Sequence, residues 1–254
     1  MVAAQLIGSK SAASNALTTS ITLPQTIGDN AFLCLLAMTT GATNSLSLSG
    51  VSSSAVYDSG TNDQNGSTWS RFWILPLSVS EANSTVTVTT SEASKTALAA
   101  TVINGSNLNY ASSATTDNLL ARTIPAVTSQ DAVVVLGGSR VPSPSYPTFT
   151  IPNPPYTAYE YYGSDASSGA GTTAFAASGT GGGGQTITLN ASGGASKACF
   201  LTVSYRTTGT LANASVWTGS SESTIARPYL WDGSNEIPLS GPYIWTGSNE
   251  QTLT

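Results

Sequence analysis

Residues 85–104 read TVTVTTSEASKTALAATVIN, and residues 186–205 read TITLNASGGASKACFLTVSY. Both open on strict alternation of Thr with an apolar residue, Val86 and Val88 in the first and Ile187 and Leu189 in the second. Both pass through a small polar segment ending Ala-Ser-Lys, at Lys95 and Lys197, and enter a second apolar run that closes near Val102 and Val203. Period-two alternation puts one face inward and one outward, the pattern of a half-buried strand. Two such runs joined by a Ser/Gly-rich segment predict a β-hairpin.

Working outward, other landmarks recur at the same offset of about 101–102 residues, a distance that marks an internal duplication. Pro24 followed by Asp29-Asn-Ala-Phe-Leu-Cys-Leu-Leu answers Pro125 followed by Asp131-Ala-Val-Val-Val-Leu. Arg71-Phe72-Trp73 falls opposite Thr173-Ala174-Phe175, one residue out of register. The duplicated unit is a β unit, and no stretch of ten or more residues shows helical periodicity. The expected fold is therefore all-β: an antiparallel β-sandwich, jelly-roll-like, with internal pseudo-duplication. Its expected parts are an Ala/Ser-rich N-terminal arm or irregular first strand (1–16), a sandwich body (17–210) built of pseudo-repeats 17–105 and 119–207, and a C-terminal arm (211–254). Residues 104–118 are polar and read as a connector. Residues 143–162, SPSYPTFTIPNPPYTAYEYY, carry too much proline for a central strand and predict an edge or a surface loop.

The C-terminal arm has a period of its own. Trp217, Trp231 and Trp245 are each followed by Thr-Gly-Ser or Asp-Gly-Ser and then by Glu222, Glu236 and Glu250. Pro228-Tyr229 and Pro242-Tyr243 precede the second and third units. Each unit predicts a short hairpin around a Gly-Ser turn. A hairpin this short cannot bury a tryptophan by itself, so Trp217, Tyr229, Trp231, Tyr243 and Trp245 are candidate assembly residues. They dock either on the chain's own body or on a neighbouring subunit.

Composition narrows the chemistry. The chain has 254 residues, enough for a large core. Charged residues make up 8% of it, against an average of about 25%, so solubility must come from Ser, Thr, Asn and Gly. A net charge of −5, thinly spread, supplies no footprint for nucleic acid or anionic lipid. No apolar run reaches the length of a membrane span, and no basic segment followed by an apolar one marks a secretory leader. The expected partners therefore include no nucleic acid and no membrane.

The chain contains no histidine, which removes Ser-His-Asp and Cys-His nucleophile systems and His-containing zinc sites. No glycine-rich phosphate loop precedes a helix. A carboxylate pair for glycoside hydrolysis is the one common chemistry left, with Asp58, Asp63, Glu81, Glu160 and Asp165 as candidates, but no motif groups them. Residues 58–66 offer oxygen ligands at odd spacing yet lack the glycine and distal glutamate of a calcium loop. No catalytic residue, metal or cofactor is expected. Cys34 and Cys199 lie in apolar runs and are either two small buried hydrophobes or a disulfide between the halves. Tyr156, Tyr159 and Tyr161 form either a stacking platform for sugars or a packing and subunit contact.

Taken together, these features resemble a known group. A Gly28-Asp29-initiated apolar strand leads to the aromatic segment of Trp69, Phe72 and Trp73. Then come Ser84-Thr-Val-Thr-Val-Thr89, an Ala-rich strand ending near Gly105, and a second, weaker round. Over residues 17–207 the chain resembles β-sandwich virion proteins of tailed bacteriophages, which decorate capsids or build tail and fibre parts. Short C-terminal Trp-Asp-Gly-Ser repeats also recur in phage structural proteins. The resemblance implies a non-enzymatic role in a virus particle, with other virion proteins and the chain itself as partners. A composition suited to exposure without a secretory leader fits a virus particle made in the host cytoplasm and released by lysis. The alternative expectation is an adhesin module that recognises a receptor or a host-surface glycan.

Overall fold

The computed structural model describes residues 4–10, 16–41, 45–63, 68–115, 120–123, 132–141, 148–150, 156–163, 171–180, 186–190 and 198–207. Toward the C-terminus it describes residues 215–217, 222–224, 229–231, 236–238, 243–245 and 250–252. All regular structure among them is β except a 3₁₀ turn at Val79–Glu81. Residues 2–208 form one compact unit, and the chain from 209 onward forms another.

The first eight strands are β1 (Ala4–Lys10), β2 (Ala16–Thr22), β3 (Ala31–Thr40), β4 (Leu46–Ser49), β5 (Tyr57–Asp58), β6 (Asn62–Asp63), β7 (Thr68–Leu77) and β8 (Thr85–Thr115). β8 is 31 residues long and does not reverse. Its first third pairs with β2 and β4 to make a small sheet. Its middle third pairs with β1 on one side and β3 on the other, and β7 and then β5 and β6 extend that larger sheet. β1 to β4 thus alternate between two antiparallel sheets and β8 runs through both, a jelly-roll-like wrapping.

The chain then repeats the pattern. β9 (Leu120–Thr123), β10 (Ala132–Val141), β11 (Thr148–Thr150), β12 (Tyr156–Gly163), β13 (Gly171–Thr180), β14 (Thr186–Asn190) and β15 (Ala198–Thr207) follow. The large sheet of this second repeat has the order β12-β13-β10-β15-β8, and the small one β11-β14-β9. Even the register is duplicated. Ile21↔Val86 and Leu48↔Val88 in the first small sheet are matched by Arg122↔Ile187 and Phe149↔Leu189 in the second. Cys34↔Thr101 and Leu36↔Phe72 in the first large sheet are matched by Val134↔Val203 and Leu136↔Ala176.

Three expectations are decided by this topology. Residues 85–104 are not a hairpin but one strand that passes from the small sheet into the large one. Alternation has the same period in both arrangements, so it cannot tell a reversal from a crossing. Of the two readings of segment 1–16 the first strand is the one found: Ala4–Lys10 forms seven consecutive pairs with β8. Residues 104–118 are not a connector. Residues 105–115 pair with β15 and stand in the second repeat where β1 stands in the first, so the repeats begin near residues 4 and 105 rather than 17 and 119. Polar side chains misled here because this strand lies at a sheet edge, where water satisfies them.

Burial explains the unbroken apolar run of β3. Leu33, Leu35 and Ala37 pack with Ile21, Leu46, Val86 and Val88 in the sandwich core of the first repeat. Cys34, Leu36 and Met38 point the other way and pack with Val134, Leu136, Cys199, Leu201 and Val203 of the second repeat. The two large sheets therefore lie face to face, β10 and β13 against β3, and β3 and β10 are buried on both sides. β7 divides its aromatics in the same way, Phe72 to the inter-repeat layer and Trp73 to the sandwich core. The outward face of the first small sheet carries Thr18, Ser20, Thr22, Ser47, Ser49 and Thr85, all exposed. This is where a charge-poor chain meets water.

Both cysteines are free and buried in the inter-repeat layer. Cys199 Sγ lies 3.5 Å from Met38 Sδ, a contact across the two repeats. Burial pushes the Cys34 thiol up to about 12. The reading as small hydrophobes holds, and the disulfide does not form.

At Gly105 β8 passes from one repeat to the other. A Cβ there would lie 2.4 Å from Tyr205 Cδ2 and 2.5 Å from the Arg206 carbonyl oxygen. Asn107, two residues on, holds a φ of 52°. Gly105→Val should lower unfolding free energy by about 3 kcal/mol through forced overpacking. Thr101 behaves oppositely: its Oγ1 is buried with no hydrogen-bond partner among the described residues. Thr101→Val should raise stability by about 1 kcal/mol by removing an orphaned hydroxyl. Urea denaturation midpoints at constant slope check both, and a Thr101→Val protein less stable than the parent contradicts the assignment.

Candidate functional site

The five assembly residues proposed from the sequence all fall in the C-terminal unit, whose described residues form three separate two-stranded sheets. These are β16 (Ser215–Trp217) with β17 (Glu222–Thr224), β18 (Tyr229–Trp231) with β19 (Glu236–Pro238), and β20 (Tyr243–Trp245) with β21 (Glu250–Thr252). Their register is the same three times: Trp217↔Glu222, Trp231↔Glu236 and Trp245↔Glu250. In each the tryptophan position is the pair nearest the turn, and the position two residues earlier, Tyr229 or Tyr243 in the second and third hairpins, closes the open end. The backbone thus presents the same ladder position at residues 217, 231 and 245. The intervening Gly-Ser segments lie outside the described residues.

Tyr156, Tyr159 and Tyr161 lie on β12, the outermost strand of the second large sheet. Alternation by itself would separate Tyr156 from the other two. A bulge between Tyr156 and Ala158 corrects this, so the three positions pair with Gly179, Ala177 and Phe175. Those are alternate positions of β13, on the side opposite Ala174 and Ala176, which face the inter-repeat layer. The three tyrosine positions therefore share one face of the sheet. Sequence alternation could not have found the bulge.

Of the candidate acids, Asp58 lies on β5, Asp63 on β6, Glu81 in the turn before β8 and Glu160 on β12. Asp58 accepts from Arg71 Nε at 2.8 Å and from the Gly60 amide at 2.9 Å, and its second oxygen is 2.5 Å from Arg71 Nη2. Arg71 also donates through Nη1 to the Leu46 carbonyl, and its guanidinium lies 5.1 Å over the Trp73 ring. It thereby ties the large sheet to the small one at their rim. Glu81 is buried and accepts from the Ser52 amide at 2.8 Å, the Ser52 hydroxyl at 3.0 Å and the Ser78 amide at 2.8 Å. It closes a capping box with Ser78 and pins the turn between β7 and β8. The Ser78-Val-Ser-Glu81 pattern is the sequence signature of such a box and would have revealed this role. Asp165 and the 64–66 tip of the calcium-like loop lie outside the described residues. Among the described residues no group of three His, Cys, Asp or Glu side chains could hold a metal ion.

One feature was invisible in the sequence. Tyr57 of β5 and Tyr110 of β8 meet across the repeats with ring centroids 4.7 Å apart. The Tyr57 hydroxyl hydrogen-bonds with Ser112 Oγ. Nothing in the spacing of residues 57 and 110 announces this pair, which closes the rim of the inter-repeat layer. Beside it Val56 is half exposed.

No family model, no curated protein and no solved structure matches this chain.

The rim ion pair has a pH consequence. Arg71's hydrogen bonds hold the Asp58 carboxyl below its ordinary range, against a smaller opposing effect of burial. For Glu81 burial pushes the other way, but the Ser52 and Ser78 donors outweigh it and the net shift is downward. A carboxylate whose folded pKa is depressed stabilises the fold above its unfolded pKa, about 4. That stability is lost as pH falls through the lower folded value. Unfolding free energy should therefore decline below about pH 4–5. Asp58→Asn should flatten part of that decline while costing about 1 kcal/mol or less at pH 7, because solvent screens this partly exposed pair. Chemical denaturation of both proteins across pH 2–7 reads the difference, and parallel curves contradict it.

Proposed function

We propose that this chain is a non-enzymatic structural protein of a virus particle, a capsid decoration or fibre component that acts through contacts between subunits. The observation that carries the reading is the identical register of the three C-terminal hairpins. Strands of three residues in isolated pairs are marginal in water. Burying one tryptophan removes about 150–250 Å² from solvent, on the order of 4–6 kcal/mol as an upper estimate. Three such side chains drive docking. A unit repeated every 14 residues, as at 217, 231 and 245, suits a surface that itself repeats. Linked contacts of that kind gain by effective concentration. A particle lattice, or a symmetric bundle of the same chain, is such a surface.

The rest of the molecule supports the same role. Two jelly-roll-like repeats share one strand and bury their large sheets against each other, making a stiff body. Of the candidate acids, Asp58 and Glu81 are each held by structural partners. A second reading has one observation in its favour: the bulge in β12 that sets Tyr156, Tyr159 and Tyr161 on one face. Such a row would stack on sugar rings, making the chain a glycan-recognising adhesin.

Truncation after Gly209 should leave a folded β protein that no longer joins the particle. Trp231→Ala, in the middle unit, should weaken assembly more than Trp245→Ala. Antibody labelling of particles, together with sedimentation of the truncated chain, is the measurement. A truncated chain that assembles normally defeats the reading. A glycan array probed with the parent and with Tyr159→Ala separates the adhesin alternative, which requires binding that the substitution abolishes.

A further inference from the structure

We propose that the three Trp–Glu ladder pairs of the C-terminal unit each hold an arginine guanidinium, supplied by the protein surface on which that unit docks. The proposal rests on the reading of the hairpins as docking units and adds the chemistry of what they dock on.

Comparison of the three hairpins singles the pair out. The ladder position two residues before the tryptophan reads Ser215, Tyr229 and Tyr243, and the one after the glutamate reads Ser223, Ile237 and Gln251. Only the pair nearest the turn is the same each time, as Trp217↔Glu222, Trp231↔Glu236 and Trp245↔Glu250. Turn chemistry accounts for the Gly and Ser that separate the two residues. It does not account for a glutamate, a residue depleted in strands. Residues paired across an antiparallel ladder share one face, with Cβ atoms about 4.5–5.5 Å apart. The backbone thus sets a tryptophan position beside a glutamate position on one face, three times over.

The body shows what such a pair takes. Asp58 of β5 and Trp73 of β7 are also register partners across an antiparallel ladder. One guanidinium serves both: Arg71 lies 5.1 Å over the Trp73 ring and donates through Nε to Asp58 at 2.8 Å. A guanidinium suits the place because it is flat and always charged. It stacks on an aromatic face while its in-plane N–H groups reach a carboxylate. In the body this cation comes from the same strand, two residues before the tryptophan. In the hairpins that position is Ser215, Tyr229 or Tyr243, so the strand itself supplies no cation. From residue 209 onward the chain carries the carboxylates Glu222, Asp232, Glu236 and Glu250 and a single cation, Arg227. Of the other arginines, Arg71, Arg140 and Arg206 already make interactions in the body. That leaves Arg122 and Arg227 against three sites. The guanidinium groups therefore come from a different, arginine-bearing protein and not from a second copy of this chain.

The test uses the full chain and short labelled Gly/Ser peptides carrying three spaced arginines, lysines or citrullines, with binding read by fluorescence anisotropy. The arginine peptide should bind at least threefold more tightly than the lysine peptide. The citrulline peptide, uncharged but of similar shape, should not bind. Glu236→Gln should weaken the arginine peptide at least twofold, whereas Asp232→Asn, in the same hairpin but off the ladder pair, should leave it unchanged. A smaller preference for arginine, no binding, or equal effects of the two substitutions overturns the proposal. Free choline that displaces the peptide at lower concentration than free arginine assigns the pairs to a quaternary ammonium and also overturns it. The peptide comparison needs only the parent protein, so it decides even where Glu236→Gln disturbs its hairpin. A chain that joins the particle yet ignores the arginine peptide defeats this inference alone. One that binds the peptide and joins no particle defeats the virion assignment alone.

Discussion

A single strand, β8, carries the hydrogen bonding of three sheets. Its first third completes the small sheet of the first repeat, its middle the large sheet of that repeat, and its end the large sheet of the second. Because backbone amides and carbonyls must be paired when buried, none of the three ladders can shift register without disturbing the other two. The consequence reaches the chain around it. Gly105 must lack a side chain because Tyr205 and the Arg206 carbonyl occupy that space. The turn before β8 must be pinned, and the buried Glu81 carboxylate does this by taking amides from Ser52 and Ser78.

The shared strand also decides what the rest of the surface can do. By joining the repeats without a linker it presses their large sheets together, and the inter-repeat layer takes Leu36, Met38, Phe72, Leu136 and Leu201 out of water. The two large sheets are thereby stacked face to face, with the first small sheet packed on the outer side of the first. The outer face of the first small sheet is left to Ser and Thr hydroxyls, which exchange hydrogen bonds with water at little net gain. The regions with something to gain from a partner are the sheet edges and the C-terminal hairpins. The contacts between subunits proposed above are placed there, at β12 and at the three tryptophan positions.

Parts of this arrangement were legible in the residues. The duplication was, because Thr-x-Thr alternation followed by an Ala-rich apolar run recurs at residues 85–104 and 186–205, and strand periodicity survives divergence of individual side chains. The triple hairpin was legible through Gly-Ser turns that must sit at fixed distances from each tryptophan. The place of Glu81 could have been read from Ser78-Val-Ser-Glu81. The bulge that aligns Tyr156 with Tyr159 and Tyr161 could not, since one extra residue in a strand leaves no mark in composition.

By itself, then, the sequence determined that the chain is all-β, that a unit occurs twice, and that a different short unit occurs three times at the C-terminus. These are local properties, set by period-two patterning and turn chemistry. Only the tertiary structure decided that residues 85–115 are one strand and not a hairpin and a connector. It likewise decided that Ala4–Lys10 belongs to a sheet, and that Tyr57 meets Tyr110. The physical reason is common to all three. Alternation specifies which side of a strand is buried, but the identity of the sheet or repeat that buries it depends on contacts between residues far apart in the chain, and apolar side chains are interchangeable in that choice.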